Sequence, residues 1–488
     1  MITVVCGLAA CGGGGGDGNI SALPQSATSQ TESGSTKVVG SDLPSTAPTL
    51  QAVSAAVART VVVGAGSSPV PQGATVVAQL MDVPWSTLAP GSLVVVRAGT
   101  YAGPVTISAT GSGSSPIRIQ AADPSQLPVI SNSVDIQGSS YLNVSGLVVQ
   151  SPTWGGFVVR NGSHHVTLSG NIVRAAPIGI NIMSGIGTGI VISNNLIEDS
   201  LTQGIGVAAN GSAAEMNVIM GNTVRRSGHH GMEIRGSRWR IERNETSRSG
   251  LAVAGTSGIH IYSGAAGEDS GDNNIIRYNV SYSNADTGAH DGNGIQLDHW
   301  CDQNTVAFNL AWGNDGAGIN VYEAAGNKVY SNTVGGNARD PAGTHGALGE
   351  IIIGASADNI RTTNNQVFDN IAVSTRSDAP AIYVDGRSYG NNNTVGPNMM
   401  FNTTGGSVVR WGDNLSLLTA ASIDAAIGTR GNLTELPAFA DPYSGTPAGF
   451  KLTRAPTANG TTLTNESDFA GVSAQAGSSF FGAYFKSR

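Results

Sequence analysis

The chain has 488 residues, of which 67 are glycine, while charged residues make up 12% and aromatic residues 6%. This composition is unusual for a compact α/β enzyme and typical of a turn-rich all-β chain, so long helices are not expected to dominate. The net charge is −8 and only 25 residues are Lys or Arg, so the chain lacks the broad basic surface that nucleic acid as a partner requires.

The first eleven residues predict an export signal. An apolar run from Ile2 to Ala10 ends in "LAAC", which resembles a bacterial lipobox. The resemblance implies that Cys11 is lipidated and becomes the first mature residue, and Gly12 after it is typical of lipoproteins sent to the outer membrane. We therefore expect a bacterial outer-membrane lipoprotein that faces the periplasm or the cell surface. An ordinary secretory signal is the alternative.

Attachment to the membrane is expected through the lipid alone, because no stretch approaches the ~18 apolar residues of a membrane span. Residues 12–58 are rich in Gly, Ser, Thr and Gln and predict a flexible tether. From residue 59 onward, short Val and Ile runs alternate with Gly and Pro, as in "LAPGSLVVVRAGTYAGPVTI". This pattern predicts short strands joined by tight turns.

From about residue 150 the sequence repeats itself. An asparagine opens a strand-like unit at Asn171, Asn195, Asn222, Asn244, Asn279, Asn309, Asn332 and Asn365. A second unit, Gly-apolar-x-apolar, recurs at 179–182, 204–207, 231–234, 258–261, 294–297 and 318–321. A minimum period of about 22 residues, with insertions at a fixed phase, predicts the coils of a parallel β-solenoid. The asparagines are expected to form an inward ladder at a turn, with each amide bonded to the next.

This pattern resembles the right-handed parallel β-helix proteins of the pectin-lyase-like group. The stretch "PGSLVVVRAGTYAGPVTISATGSGSSPIRIQAADPSQLPVI" resembles the N-terminal entry of polysaccharide lyases, and "PAFADPYSGTPAGFKLTRAP" resembles a C-terminal segment of related carbohydrate enzymes. The resemblance implies an all-β fold, a single-stranded right-handed parallel β-helix over residues 59–414. A helix within 416–428 and a capping tail are expected in residues 415–488.

The outward positions of the second unit carry the candidate site. In Gly-apolar-x-apolar-x both apolar residues point into the coil and both x positions point out, so stacked coils form two outward columns. The first column is Glu233, His260, Gln296 and Asn320, and the second is Arg235, Tyr262, Asp298 and Tyr322. The turns that enter these strands add His229, His230, His290, Asp291, Asn293 and Asp315, and His299 and Glu323 follow the strands. So many titratable groups within a few coils predict a functional groove, with a solvated polar face as the alternative.

The groove suits β-elimination on a uronic-acid polysaccharide, which needs a neutralised sugar carboxylate, a base for the C5 proton and an acid for the O4 leaving group. We predict that Arg235 neutralises the carboxylate and that His260 and Tyr262 exchange protons. Asp291 and Asp298 orient them or bind sugar hydroxyls, and Glu233 is a further catalytic carboxylate. The predicted substrate-binding residues are Asp291, Asn293, Gln296, His299, Asn320, Tyr322, His229 and His230.

Residues 291–322 also resemble the β-helix pectate lyases that hold calcium on consecutive coils, with Asp291 at the position of their leading aspartate. Where those enzymes have an Asp-Asp-Gly-aromatic-Asp run, this chain reads Gly316-Ala317-Gly318-Ile319-Asn320, and no lysine matches their catalytic lysine. We therefore predict a mechanism without metal or other cofactor, as in alginate-type lyases and epimerases, and calcium remains the alternative.

Three other functions stay open. A C5-epimerase shares the proton abstraction with a lyase and differs only in returning a proton to the opposite face. An inverting hydrolase needs carboxylates ~6.5–9.5 Å apart, for which Glu233 and Asp298 are candidates, although the chain lacks the Asp-Asp pair of galacturonase-type hydrolases. A surface lipoprotein that only binds acidic polysaccharide is the non-enzymatic alternative. Cys301 is expected to be a packed small residue rather than a nucleophile.

Overall fold

The computed structural model describes residues 57–66, 69–288, 291–344, 346–356, 362–458, 460–461, 466–474 and 480–485. The predicted signal segment 1–11 with Cys11, and the predicted tether as far as residue 56, lie outside the described residues.

The chain forms a right-handed parallel β-helix in which three long sheets run along one axis. Each coil contributes one short strand to each sheet, so neighbours within a sheet are three strands apart in the chain. The inward apolar side chains of successive coils, such as Ile119, Ile192 and Ile276, fill one continuous core. Because each strand buries one face and then turns, runs of two to six residues are long enough. The predicted all-β fold is confirmed.

The described residues contain 39 strands, numbered here in chain order. Sheet 1 consists of β1 (Thr60–Val63), β2 (Thr75–Val77), β3 (Leu93–Val96), β6 (Ile117–Ala121), β9 (Ser140–Ser145), β12 (His164–Ser169), β15 (Val191–Ser193), β18 (Asn217–Met220), β21 (Trp239–Glu242), β24 (Ile275–Arg277), β27 (Thr305–Ala307), β30 (Lys328–Tyr330), β33 (Gln366–Phe368) and β36 (Thr394–Val395). Sheet 2 consists of β4 (Thr100–Tyr101), β7 (Val129–Ile130), β10 (Val148–Gln150), β13 (Ile172–Arg174), β16 (Leu196–Glu198), β19 (Thr223–Arg225), β22 (Glu245–Ser247), β25 (Val280–Tyr282), β28 (Leu310–Trp312), β31 (Thr333–Gly335), β34 (Ile371–Ser374) and β37 (Met399–Asn402).

Sheet 3 carries the Gly-apolar-x-apolar strands. It consists of β5 (Val105–Ile107), β8 (Val134–Gln137), β11 (Gly155–Arg160), β14 (Ile178–Ile182), β17 (Ile205–Val207), β20 (Met232–Ile234), β23 (Ser257–Tyr262), β26 (Asn293–Asp298), β29 (Ile319–Tyr322), β32 (Ile351–Gly354), β35 (Ile382–Val384), β38 (Val409–Trp411) and β39 (Leu415–Leu417). The last pair, β38 and β39, is antiparallel.

Buried asparagines form ladders along the turns, as predicted. In the first ladder, the backbone N–H and the side-chain amide of each asparagine donate to Oδ1 of the asparagine one coil on, at 2.9–3.1 Å. Its members are Asn171, Asn195, Asn222, Asn244, Asn279, Asn309, Asn332, Asn370 and Asn398. The placement of Asn365 in this ladder is wrong. Asn365 precedes a strand of sheet 1 and bonds to Asn327 and Asn393 in a second ladder, whereas Asn370 precedes a strand of sheet 2.

The repeated glycine stands at the corner where the chain enters sheet 3. A Cβ on Gly179 would lie 2.4 Å from Ile197 Cγ2, and one on Gly258 would lie 2.1 Å from Ser281 Oγ. In these coils the corner leaves no room for a side chain, which explains why the unit begins with glycine. In the coil of β32 the same position is Glu350, whose carboxylate accepts from the backbone N–H and the side-chain amide of Asn337.

Both ends of the β-helix are covered. Near the N-terminus, short 3₁₀ helices at Leu80–Asp82 and Trp85–Thr87 add buried Leu80 and Trp85 to the core. The predicted C-terminal helix is present as α1 (Ala420–Ile427), with the Thr419 hydroxyl capping its first turn and Ile423 in the core. A third 3₁₀ helix spans Pro447–Phe450. No helix of the described residues is long and apolar enough to cross a membrane.

Candidate active site

Sheet 3 carries both predicted columns in the predicted order. The strand register aligns Glu233 with His260, Gln296 and Asn320 on successive coils. It also aligns Tyr262 with Asp298 and Tyr322. Arg235 directly follows β20, and its guanidinium carbon lies 4.9 Å from the centre of the Tyr262 ring one coil on. The alternation of apolar and polar residues was therefore a reliable guide to which side chains share a column.

The first column is more buried than a solvent-facing groove requires. Glu233 is partly exposed, but His260 is only 4% exposed, and Gln296 and Asn320 are fully buried. The turns that lead into β23, β26 and β32 are nine residues or longer. The sequence predicted that Gln296 and Asn320 contact the polymer directly. Because both side chains are fully buried, that contact is not available in this arrangement.

Asn293 lies in a closed hydrogen-bond network. Its Oδ1 accepts from the Thr344 hydroxyl at 2.7 Å and from the backbone N–H of Ala317 at 2.8 Å. Its Nδ2 donates to Gln296 Oε1 at 3.0 Å and to Asp291 Oδ1 at 3.2 Å. Because the whole amide is used inside the protein, the predicted substrate-binding role of Asn293 is corrected to one of holding the turn in place.

Several buried polar atoms beside this network remain unsatisfied. Within the described part of the chain, His260 Nδ1, Gln296 Nε2 and both amide atoms of Asn320 have no hydrogen-bond partner. Buried groups of this kind normally bind water or a ligand. The floor of the site is therefore polar and not fully saturated by the protein itself.

Three histidine rings are packed against one another at the edge of sheet 3. The ring centres of His229 and His230 are 3.9 Å apart, and those of His230 and His260 are 4.0 Å apart and nearly parallel. Burial and the neighbouring His260 lower the pKa of His229, and the same causes hold the pKa of His230 well below its ordinary value. His230 Nδ1 accepts from the backbone N–H of Ser257. His230 is thus a neutral, buried packing group rather than a group in contact with substrate.

Asp298 joins two histidines. Its carboxylate lies 3.1 Å from His260 Nε2 and 3.6 Å from His299 Nε2. The other nitrogen of His299 lies 2.6 Å from Glu323 Oε2. The hydrogen bond to Glu323 raises the pKa of His299, with Asp298 adding to the effect. Burial alone would raise the pKa of Glu323, but hydrogen bonds from His299 and Ser356 outweigh it and lower that pKa to about 2.

Three groups that solvent reaches lie along or directly beside the second column. Arg235 is exposed, Tyr262 is half-buried, and about a third of the His299 side chain is exposed. The Tyr262 and His299 rings pack edge to face, with their centres 5.9 Å apart. Tyr322 packs against His299 in the same way at 5.8 Å, is only 8% exposed, and has a pKa raised by burial and by Glu323.

The two remaining acidic groups flank this column. Glu233 accepts a hydrogen bond of 2.6 Å from Gln203 Nε2, which also lies 3.5 Å from His229. Asp291 is 7% exposed and accepts from Asn293, so it lies beneath the surface.

Cys301 is fully buried, with its thiol donating to the Asp298 carbonyl and its pKa raised by burial. These features support a packing role for Cys301, as expected.

Glu323 directly follows β29 and takes part in the site, as its place after the second column indicated in the sequence. Two further contributors, Gln203 and Ser257, were not predicted. Gln203 lies in a turn, where the two-residue alternation carries no information. Ser257 is the first residue of β23, ahead of the glycine that opens the repeated unit, and it donates to Gln296 Oε1 at 2.6 Å. Cys11, the predicted lipidation site, and His290 lie outside the described residues.

A calcium site of the pectate-lyase kind does not fit these residues. Among the described side chains, no three of His, Cys, Asp or Glu converge as metal ligands do. Asp291, the matching aspartate, is hydrogen-bonded to Asn293, and the positions of the acidic run are occupied by Gly316, Gly318 and Asn320. The side chains at these positions therefore do not provide the ligand set of a pectate-lyase calcium site.

Comparison with known proteins agrees with the fold. A family model for the right handed beta helix region matches residues 132–334. The A-module of the mannuronan C-5 epimerase AlgE6 of Azotobacter vinelandii is similar with a TM-score of 0.52 and 14% identity, covering 71% of this chain and 91% of that chain. Pectate lyase Pel9A is similar with a TM-score of 0.50 and 16% identity, covering 92% of this chain and 100% of that chain. No curated protein sequence matches.

Proposed function

We propose that the protein cleaves a uronic-acid-containing polysaccharide by β-elimination on the outer face of sheet 3. The observation that carries the proposal is the solvent-accessible row of Arg235, Tyr262 and His299, with Asp298 and Glu323 behind it. A cation, a phenol and an imidazole within reach of one sugar ring are the groups that this reaction needs. The solved structures of similar fold include a mannuronan epimerase module and a pectate lyase.

Each group has a distinct task in this proposal. Arg235 binds the uronate carboxylate, which makes the C5 proton more acidic. Tyr262 takes that proton as the phenolate, and the nearby guanidinium stabilises the negative charge that its oxygen carries before the transfer. His299, held as an imidazolium by Glu323 and Asp298, gives a proton to the O4 leaving group. The C5–H and C4–O4 bonds break, a C4=C5 double bond forms, and both protons are accounted for.

The assignment of His260 changes relative to the sequence-based expectation. His260 was expected to exchange protons with the substrate, but its side chain is only 5% exposed and its Nε2 faces Asp298. We therefore assign His260 the role of positioning Asp298, and we assign the proton exchange to His299 instead. His229 and Glu233 are partly exposed and remain candidates for contacts with neighbouring sugars.

A C5-epimerase remains the second candidate, because Arg235 and Tyr262 serve its proton abstraction equally well. The two are separated by incubating alginate or polygalacturonate with the full chain in heavy water and following the products by proton NMR. An olefinic H4 signal with new chain ends supports the lyase. Deuterium at C5 without chain cleavage would identify the epimerase, and new reducing ends without an olefinic signal would identify a hydrolase.

We further propose that the protein is a bacterial outer-membrane lipoprotein anchored through Cys11. The support is the sequence "LAAC" after an apolar run and the long polar segment that separates it from β1, which begins at Thr60. Expression of wild type and Cys11→Ser in a bacterial host tests this. The wild type is expected in the detergent-soluble membrane fraction with an acylated N-terminal peptide, and equal fractionation of the variant would contradict it.

A further inference from the structure

Trp154 is an exposed aromatic residue with a charged group on one of its faces. It ends the turn before β11 and is 44% exposed. The Arg160 guanidinium carbon lies 5.3 Å from the centre of its ring. Arg160 also donates two hydrogen bonds to Asp135, at 2.9 and 2.7 Å. Because this ion pair fixes the guanidinium, the indole is held in one orientation as well.

The indole lies across the outer face of sheet 3. Trp154 precedes β11 and Arg160 ends it, so a contact between their side chains must pass over the middle of the strand. Val158, which the register aligns with Asp135 and Asn181 in the outward column, is nevertheless 0% exposed. A flat ring that lies over the strand would cover an outward valine in this way.

This platform lies on the same column as the candidate active site. Extending the register by one residue aligns Arg160 with Met183, Ala208 and Arg235 on successive coils. Three steps between strands separate Arg160 from Arg235, which is about 14 Å. A pyranose unit in an extended polymer is about as long as one such step, so a chain of about four sugars spans the two positions.

The floor between the two positions is formed by uncharged side chains. Its outward residues are Asn181, Met183 and Gly206, which are partly exposed, and Ala208, which is exposed. Leu201, 63% exposed, stands in the turn at the same edge of sheet 3 as Trp154. An uncharged floor and an apolar side chain at the edge suit a flat, extended ligand on this face.

We propose that Trp154 is a binding subsite for a distal sugar of the same acidic polysaccharide, which lies along the helix axis from Arg235 towards the N-terminal coils. The apolar face of the sugar ring packs on the free face of the indole. Because Arg160 is already paired with Asp135, its contribution is to fix the ring and to offer its remaining N–H groups to sugar oxygens. This subsite rests on the proposed function for the choice of ligand.

Binding without turnover tests the subsite first. The full chain, Trp154→Ala and the conservative Trp154→Phe are run by electrophoresis in gels that contain alginate or polygalacturonate. Tyr443→Ala, which removes an aromatic residue that is 89% exposed in the C-terminal segment, is the matched control. We expect the polymer to retard wild type and Tyr443→Ala alike, Trp154→Phe somewhat less, and Trp154→Ala least. Equal retardation of Trp154→Ala and wild type would overturn the subsite, as would a wild type that neither polymer retards.

Dependence on ligand length gives the second test and separates the subsite from the reaction. Trp154→Ala is expected to raise KM about three- to tenfold for oligouronates of six or more sugars, and clearly less for trimers, which cannot span both positions. The same rise at every length would overturn the proposed location. If wild type is retarded by the polymer but forms no unsaturated product, the lyase assignment fails while the gel result still decides the subsite.

Discussion

Asp298 is the residue at which the charges of the candidate active site meet. Its carboxylate faces His260 on one side and His299 on the other, and Glu323 binds the second nitrogen of His299. An imidazolium between two carboxylates is electrostatically favoured, so His299 keeps its proton at a higher pH than an isolated histidine. The most accessible histidine of this group is thus held in the form that can donate a proton.

Loss of either proton-exchanging group is expected to abolish most of the turnover. Tyr262→Phe and His299→Gln should each lower kcat by about 10²- to 10⁴-fold, because general acid and base catalysis contribute on that scale. Initial rates on the polymer that wild type cleaves provide the measurement. Tyr443→Phe and His164→Gln, which change the same residue types away from the site, should keep the wild-type rate. Full activity of Tyr262→Phe would refute its assignment.

Glu323 is expected to set the alkaline limb of the activity profile. The pKa of His299 is raised mainly by its hydrogen bond to Glu323, so activity that needs the imidazolium is retained below that pKa and lost as the pH rises through it. Glu323→Gln removes the negative charge and should move the limb to lower pH. The pH dependence of kcat/KM measures this. An unmoved limb in a variant with wild-type thermal stability would show that His299 is not the titrating acid.

The sequence predicts which residues belong to the site better than it predicts how exposed each of them is. The strict alternation along sheet 3 places Glu233, His260 and Gln296 in one column, because backbone geometry alone decides which way each side chain points. Whether a column meets solvent depends on the turns, whose contacts join residues far apart, such as Thr344 and Asn293. No local pattern reports such contacts, which is why a binding role was expected for Asn293.

Among the structural elements, the turn ladders fix how the coils stack. Each buried asparagine satisfies a backbone N–H of the coil before it, so a coil with no asparagine at that position leaves a buried donor to be satisfied by another group. Glu350 provides such a substitute at the end of the ladder that contains Asn314 and Asn337. Burial raises the pKa of Glu350 to about 7, although the bonds from Asn337 oppose the shift.

Glu350→Gln is therefore expected to stabilise the protein at neutral and higher pH. A carboxyl whose pKa is raised on folding stabilises the fold below its unfolded value of 4.5, and that contribution is lost as the pH rises through about 7. Glutamine keeps an acceptor for Asn337 without the charge. The variant's free energy of unfolding should exceed that of wild type by about 2–3 kcal/mol at pH 8, and by much less at pH 4.5. Urea unfolding at both pH values measures this, and a pH-independent difference would contradict it.

The wrong placement of Asn365 also has its cause in the arrangement of the strands. Both Asn365 and Asn370 precede a short strand, and the spacing from Asn332 to either lies near the range of the other repeats. The choice between them depends on which sheet the following strand joins, and that is set by the length of the inserted turn before it. Period counting cannot resolve this, whereas the register of β33 and β34 does.

Over the whole molecule, the C-terminal segment covers an aromatic surface on the outside of the coils. Phe469 and Tyr484 pack with Tyr278 and Phe308 in one buried cluster. The Tyr278 hydroxyl donates to the Ser467 carbonyl, and the Ala483 N–H donates to the Thr333 hydroxyl. These contacts join the end of the chain to coils more than 140 residues earlier.

Phe469→Ala should therefore destabilise the protein although it lies far from sheet 3. The side chain is 1% exposed, and loss of a buried phenylalanine costs about 3–5 kcal/mol. The midpoint of urea unfolding measures the effect, with Val472→Ala, at a site that is 56% exposed, as the control. Wild-type stability of Phe469→Ala would show that the tail does not contribute to the cooperative fold.

The fold of the whole chain was predictable because a β-helix repeats the same local problem in every coil. Glycine corners, inward apolar pairs and asparagine turns recur often enough to define the period. The tail contacts were not predictable, since Phe469 and Tyr484 lie in a segment without repeats. The reaction is a property of a few side chains such as Arg235 and His299, and neither the period nor the fold specifies it.

Elimination at the row of Arg235, Tyr262 and His299 is tested most directly by absorbance near 235 nm. The full chain is incubated with alginate and with polygalacturonate in the presence of a chelator. We expect a steady rise in absorbance on at least one polymer, unaffected by the chelator and lost in Tyr262→Phe and His299→Gln. Release of reducing ends without any rise in absorbance, or an unchanged rise in both variants, would contradict it.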